Sequence, residues 1–142
     1  MPSYDPGNIF AKILGGELPC YKVYEDDKTF AFLDIMPRAA GHTLVLPKAP
    51  ARNILDVPPD DLAAVAKTAQ KIALASIKAF AADGVTIQQF NEGAGGQVVF
   101  HLHVHVIPRK SGVPMKPPAS EKEKPDVLAA IAKKLSAALA AG

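Results

Sequence analysis

The run Phe100-His101-Leu102-His103-Val104-His105-Val106-Ile107-Pro108 alternates three imidazoles with apolar side chains, in a chain with only four histidines. Alternation of period two is the mark of a strand, because successive side chains leave opposite faces. It predicts a strand over Val98 to Ile107. Val98, Phe100, Leu102, Val104 and Val106 would fill a core, while His101, His103 and His105 share the other face with Val99 and Ile107. A strand of this kind needs neighbours, and the flanking sequence supplies them.

Immediately upstream, Asn91 to Gln97 (NEGAGGQ) is a glycine-rich turn, and Val85 to Phe90 reads as a strand that would form a hairpin with the histidine strand. Further back, Tyr21 to Glu25 and Thr29 to Asp34 flank a tight Asp26-Asp27 turn, and His42 to Pro47 is a third strand. After Pro58-Pro59, the acids Asp60 and Asp61 open a helix. Its apolar positions Leu62, Val65, Ala69, Ile72, Ser76 and Phe80 step by three or four, and Asp83-Gly84 would end it. Asn8 can cap a short helix carrying Ile9, Phe10, Ile13 and Leu14, with Gly15-Gly16 as its stop. Beyond Pro108 a proline-rich connector, expected to be mobile, runs to about Pro125. A helix from Asp126 then places Val127, Leu128, Ile131, Leu135 and Leu139 on one side. The class is α+β: a five-stranded antiparallel sheet with a long central helix, a short N-terminal helix and a C-terminal helix.

With 142 residues, 49% of them hydrophobic, the chain suits one domain with its own core. The lone Cys20 rules out an internal disulfide, and no basic-then-apolar leader is visible, so a cytoplasmic location is expected. Sixteen Lys plus Arg against 14 Asp plus Glu give a net charge of +2. The lysines are interleaved with acids, as in Glu121 to Lys124, which offers no basic face for nucleic acid or membrane. Apolar stretches fall short of a membrane span of roughly 20 residues.

Imidazoles recurring every ~7 Å along a strand cannot all be charged, since burial and like charges both lower a histidine pKa. A neutral imidazole is a metal ligand or a nucleophile and base, which leaves a zinc site and a group-transfer site as readings. Zinc would want supporting ligands, and Cys20 has no partner cysteine. Group transfer would use the glycine-rich turn, whose backbone N–H groups can converge on a phosphate. There Asn91, Gly96 and Gln97 are the candidates, although such glycines are equally at home in a plain hairpin loop.

The heptad from His101 to Ile107 resembles the histidine-triad (HIT) signature. The blocks NIFAKILGGELPCYKVYEDD, FAFLDIMPRAAGHTLVLPK and NEGAGGQVVFHLHVHVIPR resemble the family's order, so the similarity covers the chain to about Lys110. The NIFAKI and NEG blocks are similar to the nucleotide-binding, phosphoramidase-type branch in its bacterial form. HVHVIPRKSG is also similar to the fragile-histidine branch, which splits dinucleoside polyphosphates.

The resemblance implies a HIT domain over residues 1–110, with residues 111–142 packed on it as connector and amphipathic helix. It implies that His103 attacks an α-phosphorus to form a nucleotidyl-histidine, that His105 contacts the phosphate and leaving group, and that His101 pairs with His42 behind them. Asp34 would bind the ribose hydroxyls, and Ile9, Phe10, Ile13, Phe32, Ile35 and Leu44 would line the base pocket. The implied substrates are purine nucleotide conjugates of AMP or GMP, no cofactor is implied, and the implied assembly is a homodimer whose two sheets join. Many bacterial relatives carry a structural zinc, but Asn8, Ala11 and Pro50 stand at or near its ligand positions, so no metal is expected. Val98 stands where some relatives have Ser or Thr, which bears on substrate preference. A dinucleoside polyphosphate hydrolase, a non-catalytic nucleotide-binding or scaffold module and a metal-binding protein are the competing readings.

Overall fold

In the computed structural model, which describes residues 2–142, five strands form one antiparallel sheet in the order β1-β2-β3-β5-β4. They are β1 (Lys22–Glu25), β2 (Thr29–Leu33), β3 (Thr43–Pro47), β4 (Gly84–Gln88) and β5 (Val104–Arg109). Asp26 makes the first turn: its Oδ1 accepts from the backbone N–H of Lys28 and Thr29 at 2.9 and 2.7 Å, a carboxylate substituting for ladder partners. β5 slots between β3 and β4, with His105 opposite Leu44 on one side and Gln88 on the other. That register sets the position of the last triad histidine.

The two sheet faces carry different loads. Val45, Val104 and Val106 pack against Val65, Ala69 and Ile72 of α2 (Pro59–Phe80) and Leu128 and Leu135 of α3 (Pro125–Ala141). Each such side chain taken fully from water contributes about 1.5–3 kcal/mol before entropy is counted. A buried hydroxyl pair, Thr29 to Thr68 at 2.7 Å, joins β2 to α2. On the other face Phe30, Phe32, Leu44 and Leu46 meet Phe10 of α1 (Ile9–Leu14). Asn8 caps α1 through its Oδ1, which accepts from the Ala11 N–H at 2.9 Å. His105, opposite Leu44, belongs to this second face because directly paired residues point the same way.

Four local expectations are corrected. The histidine strand begins at Val104, not Val98. β3 offers β5 partners only from Thr43 to Val45 and β4 ends at Gln88, so residues 98–103 have no ladder to join. Val98 is accordingly 84% exposed instead of buried. Phe100 lies under the Arg52 guanidinium at 4.1 Å. Second, β4 and β5 pair antiparallel as the expected hairpin requires, but their connection is the excursion 89–103 and not the turn 91–97 alone. Third, α2 stops at Phe80, with Ala81 in the left-handed region at φ 50°, and Gly84 already belongs to β4. Fourth, the connector is pinned. The Lys116 N–H donates to Arg38 O and Arg38 Nε donates to Lys116 O, both at 2.8 Å, and the Glu123 N–H donates to Ile35 O at 2.8 Å.

Gly41 couples the fold to the site that follows. It sits at φ +87°, one residue before His42, and a Cβ there would fall 2.5 Å from the Phe80 ring. Gly41→Ala adds backbone strain to overpacking and should cost roughly 2–4 kcal/mol in urea unfolding; an unchanged midpoint would show that this turn relaxes freely.

Candidate active site

On the α1 face the fold leaves a cavity of about 320 Å³. All the side chains expected to form a base pocket, Ile9, Phe10, Ile13, Phe32, Ile35 and Leu44, line it. Asp34, Gly96, His103 and His105 reach it as well, and Pro118 and Ala119 of the connector close one side. His42 and His101 are buried behind the lining. A more open groove between β1 and α3, about 590 Å³, has no histidine in its walls.

The protonation pattern follows from backbone groups, because a carbonyl only accepts and an amide N–H only donates. His103 Nδ1 lies 2.7 Å from His101 O, so Nδ1 carries the proton and Nε2 keeps its lone pair. The Arg38 N–H donates to His42 Nδ1 at 3.0 Å. Neutral His42 therefore carries its proton on Nε2 and donates to His105 Nδ1 at 2.9 Å. His105 is left with its proton on Nε2. His101 Nε2–H donates to Pro47 O at 2.9 Å, and its Nδ1 accepts from the Tyr4 hydroxyl at 2.7 Å. The cavity thus holds an imidazole acceptor on His103 beside an imidazole donor on His105, their ring centroids 5.0 Å apart.

Burial keeps these rings neutral. It is the leading cause that lowers the His42 pKa to about 4 and that of His105 to about 3, reinforced by the Arg38 charge and by His103. His101 and His103 are lowered as well, again chiefly by burial. Edge-on aromatic rings supply the low-dielectric walls: Phe10 meets His103 at 4.9 Å and Phe90 meets His105 at 5.5 Å. Burial pushes the Asp34 carboxyl up, opposed by a hydrogen bond from the Met36 N–H.

The expected pairing of His101 with His42 is not what forms: His42 pairs with His105, while His101 is held by Tyr4 and Pro47. Nor do the side chains of Asn91 and Gln97 face the cavity. Gln97 donates to Arg52 O and Val99 O and accepts from Asn53 Nδ2 and the Glu92 N–H. Asn91 is bonded to the Ile54 N–H and to Gln89. Both shape the loop instead. Sequence reasoning missed its clamp: Arg52 grips Glu92 through two nitrogens at 2.7 and 2.9 Å, and Asn53 adds a third bond at 2.6 Å. These bonds hold Glu92 at φ 64°, ψ 163°, a conformation L residues avoid. Arg38 and Tyr4 were missed too. All five lie outside any periodic element, where pattern carries no signal.

Two metal possibilities can be tested on donor chemistry. At the positions many bacterial members use for zinc, Asn8 is committed to capping α1, and Ala11 and Pro50 have no donor side chain, so the residues do not fit the ion. Among the described residues, Asp34, His42 and His105 bring ligand atoms within 4.8 Å of one another. A metal on His42 Nε2 would force the ring proton onto Nδ1, against the Arg38 N–H, two donors facing each other. That cluster is built to carry a proton.

The HIT domain model matches residues 15–112, and the chain belongs to the HIT family. Its fold and sequence are similar to a HIT-like protein from Bartonella henselae, described as involved in cell-cycle regulation and crystallised with an unknown ligand. The TM-score is 0.93 at 50% identity, over 96% of this chain and 99% of that one. A histidine triad nucleotide-binding protein from Sulfolobus tokodaii matches with a TM-score of 0.85 at 34% identity, over 93% and 91% of the two chains. Adenylylsulfatase HINT3 of Arabidopsis thaliana is 41% identical over 102 residues, 72% of this chain and 52% of its own length. The match therefore spans only about half of that plant protein.

The depressed histidines set a pH dependence. Unfolded imidazoles bind protons near 6.5, well above the folded values of about 4 and 3 for His42 and His105. Their contribution to stability is complete above pH 6.5 and is lost as pH falls toward 4. Glu25, Glu92 and Asp26, whose pKa values are lowered, lose their contributions only from the ordinary carboxylate range downward, below the histidine window. Urea midpoints should therefore fall between pH 7 and pH 5; a flat profile would mean that the rings take up protons in the fold as readily as in the unfolded chain.

Proposed function

We propose that the chain is a nucleotide hydrolase or transferase that cleaves the α-phosphate bond of nucleoside 5′-phosphoramidates or related nucleoside monophosphate esters. The observation that carries the reading is the pair of opposite tautomers at one cavity. The His103 Nε2 lone pair attacks the α-phosphorus, a P–N bond to the imidazole forms, and the bond to the leaving group breaks. His105 Nε2–H hydrogen-bonds the phosphate or leaving atom as charge develops there; when an amine departs its nitrogen takes that proton, and the attacking water later restores it to His105. The nucleotidyl-imidazole is cationic, and its Nδ1–H already points at His101 O, a dipole able to stabilise that charge. Water then attacks phosphorus and returns neutral His103.

On this reading the base enters the apolar slot, Asp34 accepts from the ribose hydroxyls, and the phosphate lies beside Gly96, whose own N–H is committed to Gly93 O. AMP and GMP conjugates are the substrate class. No Lys or Arg lines the cavity. That favours leaving groups of little charge, an amine for example, over a polyphosphate whose several charges would find no counter-ion. The plant relative's name adds a sulfate leaving group to those worth assaying. A second copy is proposed to join at the free edge of β4, where Ile87 is 52% exposed and Leu74 of α2 is 62% exposed. A reducing, cytoplasmic setting fits the free Cys20. No helix is long and apolar enough to cross a membrane, among the described residues.

Incubation with an adenosine 5′-phosphoramidate should release AMP and leave an acid-labile AMP adduct visible by intact mass spectrometry. His103→Ala should abolish the adduct and slow release at least about 10³-fold. An adduct that survives in the variant removes His103 as nucleophile, and wild-type protein that binds AMP without releasing product points to a binding module. Diadenosine tetraphosphate should turn over at least about tenfold more slowly than the phosphoramidate, a difference of ~1.4 kcal/mol in barrier; the reverse order would favour polyphosphate hydrolysis.

A further inference from the structure

We propose that Tyr4, in the segment ahead of α1, is a positioning residue for the nucleophile: its hydroxyl anchors His101, whose backbone carbonyl orients His103. The inference rests on the reading of His103 as the attacking group. It begins from the weak backbone support of residues 98–103, which precede β5 and lack ladder partners on either side. A backbone bond from the Leu102 N–H to Ala51 O, at 2.9 Å, ties this stretch to the body of the protein. The His101 carbonyl must nevertheless hold still, because the His103 Nδ1–H donates to it at 2.7 Å and so aims Nε2.

The His101 side chain supplies that restraint. It is fully buried and has two ring nitrogens to satisfy. Pro47 O, at the end of β3, takes the Nε2–H at 2.9 Å. Nδ1 is then an acceptor, and the donor that meets it is the Tyr4 hydroxyl at 2.7 Å, the phenol ring standing edge-on to the imidazole at 5.6 Å. Without the hydroxyl, His101 keeps one anchor and a buried lone pair without a donor, and the ring can swing about Pro47. The carbonyl of the same residue, joined to the ring through Cβ and Cα, loses that restraint. Tyr4 lies ahead of residues 15–112, which the family model matches.

The test is Tyr4→Phe, which keeps the ring and its edge-on packing and removes only the hydroxyl. With the adenosine phosphoramidate, kcat and the single-turnover rate of adduct formation should fall about tenfold, with KM within about twofold of wild type. In proton spectra of nitrogen-15-labelled protein, the hydrogen-bonded His103 Nδ1–H signal should be present in wild type and lost or broadened in the variant. A variant with a lower Tm but unchanged kcat and an unchanged His103 signal would reduce Tyr4 to a structural contact and overturn the proposal. If wild type forms no adduct, the nucleophile reading fails by itself. The His103 signal then decides the positioning role alone: loss in Tyr4→Phe supports it, and retention overturns it.

Discussion

The hydrogen bond from the Arg38 backbone N–H to His42 Nδ1 sets the protonation of His42 and, through it, of His105. A backbone donor cannot reverse its role, so it forces His42 to donate from Nε2 and His105 to accept at Nδ1. The consequence emerges in the cavity as a donor on His105 Nε2. An independent backbone group, the His101 carbonyl, leaves an acceptor on His103 Nε2. Two neighbouring histidines of one sequence motif thus hold opposite tautomers, His103 set directly by a backbone carbonyl and His105 set through His42 by a backbone N–H.

That arrangement depends on the loop between β2 and β3 keeping its shape. The Asp34 N–H donates to His42 O at 2.9 Å, Gly41 takes a positive φ against the Phe80 ring, and the connector is tied to Arg38 and Ile35 from the outside. Elements that contribute no histidine to the cavity therefore bear on the protonation of those that do. The connector does so twice, since Pro118 and Ala119 also wall the cavity. The loop before the triad is held differently, by stored strain: Glu92 occupies an unfavourable backbone conformation that the Arg52 and Asn53 hydrogen bonds offset.

Much of this was legible in order and kind. β3, apolar because both its faces are buried, begins one residue after His42, and the α2 stripe through Val65, Ala69 and Ile72 lies where its periodicity places it, against the sheet. The parity of Val104, His105 and Val106 also holds, but only inside β5. Upstream the same alternation continues through Leu102 and Phe100 without a sheet, since period two describes a strand that has partners and cannot say where the partners end. The left-handed Ala81 was invisible for a related reason: glycine advertises a positive φ, whereas alanine adopts one only when tertiary packing repays the strain.

By itself the sequence determined the order of the strands and helices and the shared face of the three triad histidines, since hydrophobic spacing is a local property; the apolar slot and the place of His42 came from the family resemblance. Tertiary structure alone decided which histidine pairs with which, where each proton sits, and that Tyr4, Arg38 and the connector belong to the site. Those outcomes are set by hydrogen bonds between groups far apart in the chain, Tyr4 to His101 and His42 to His105 among them. No spacing in the sequence encodes the distance across which such bonds close.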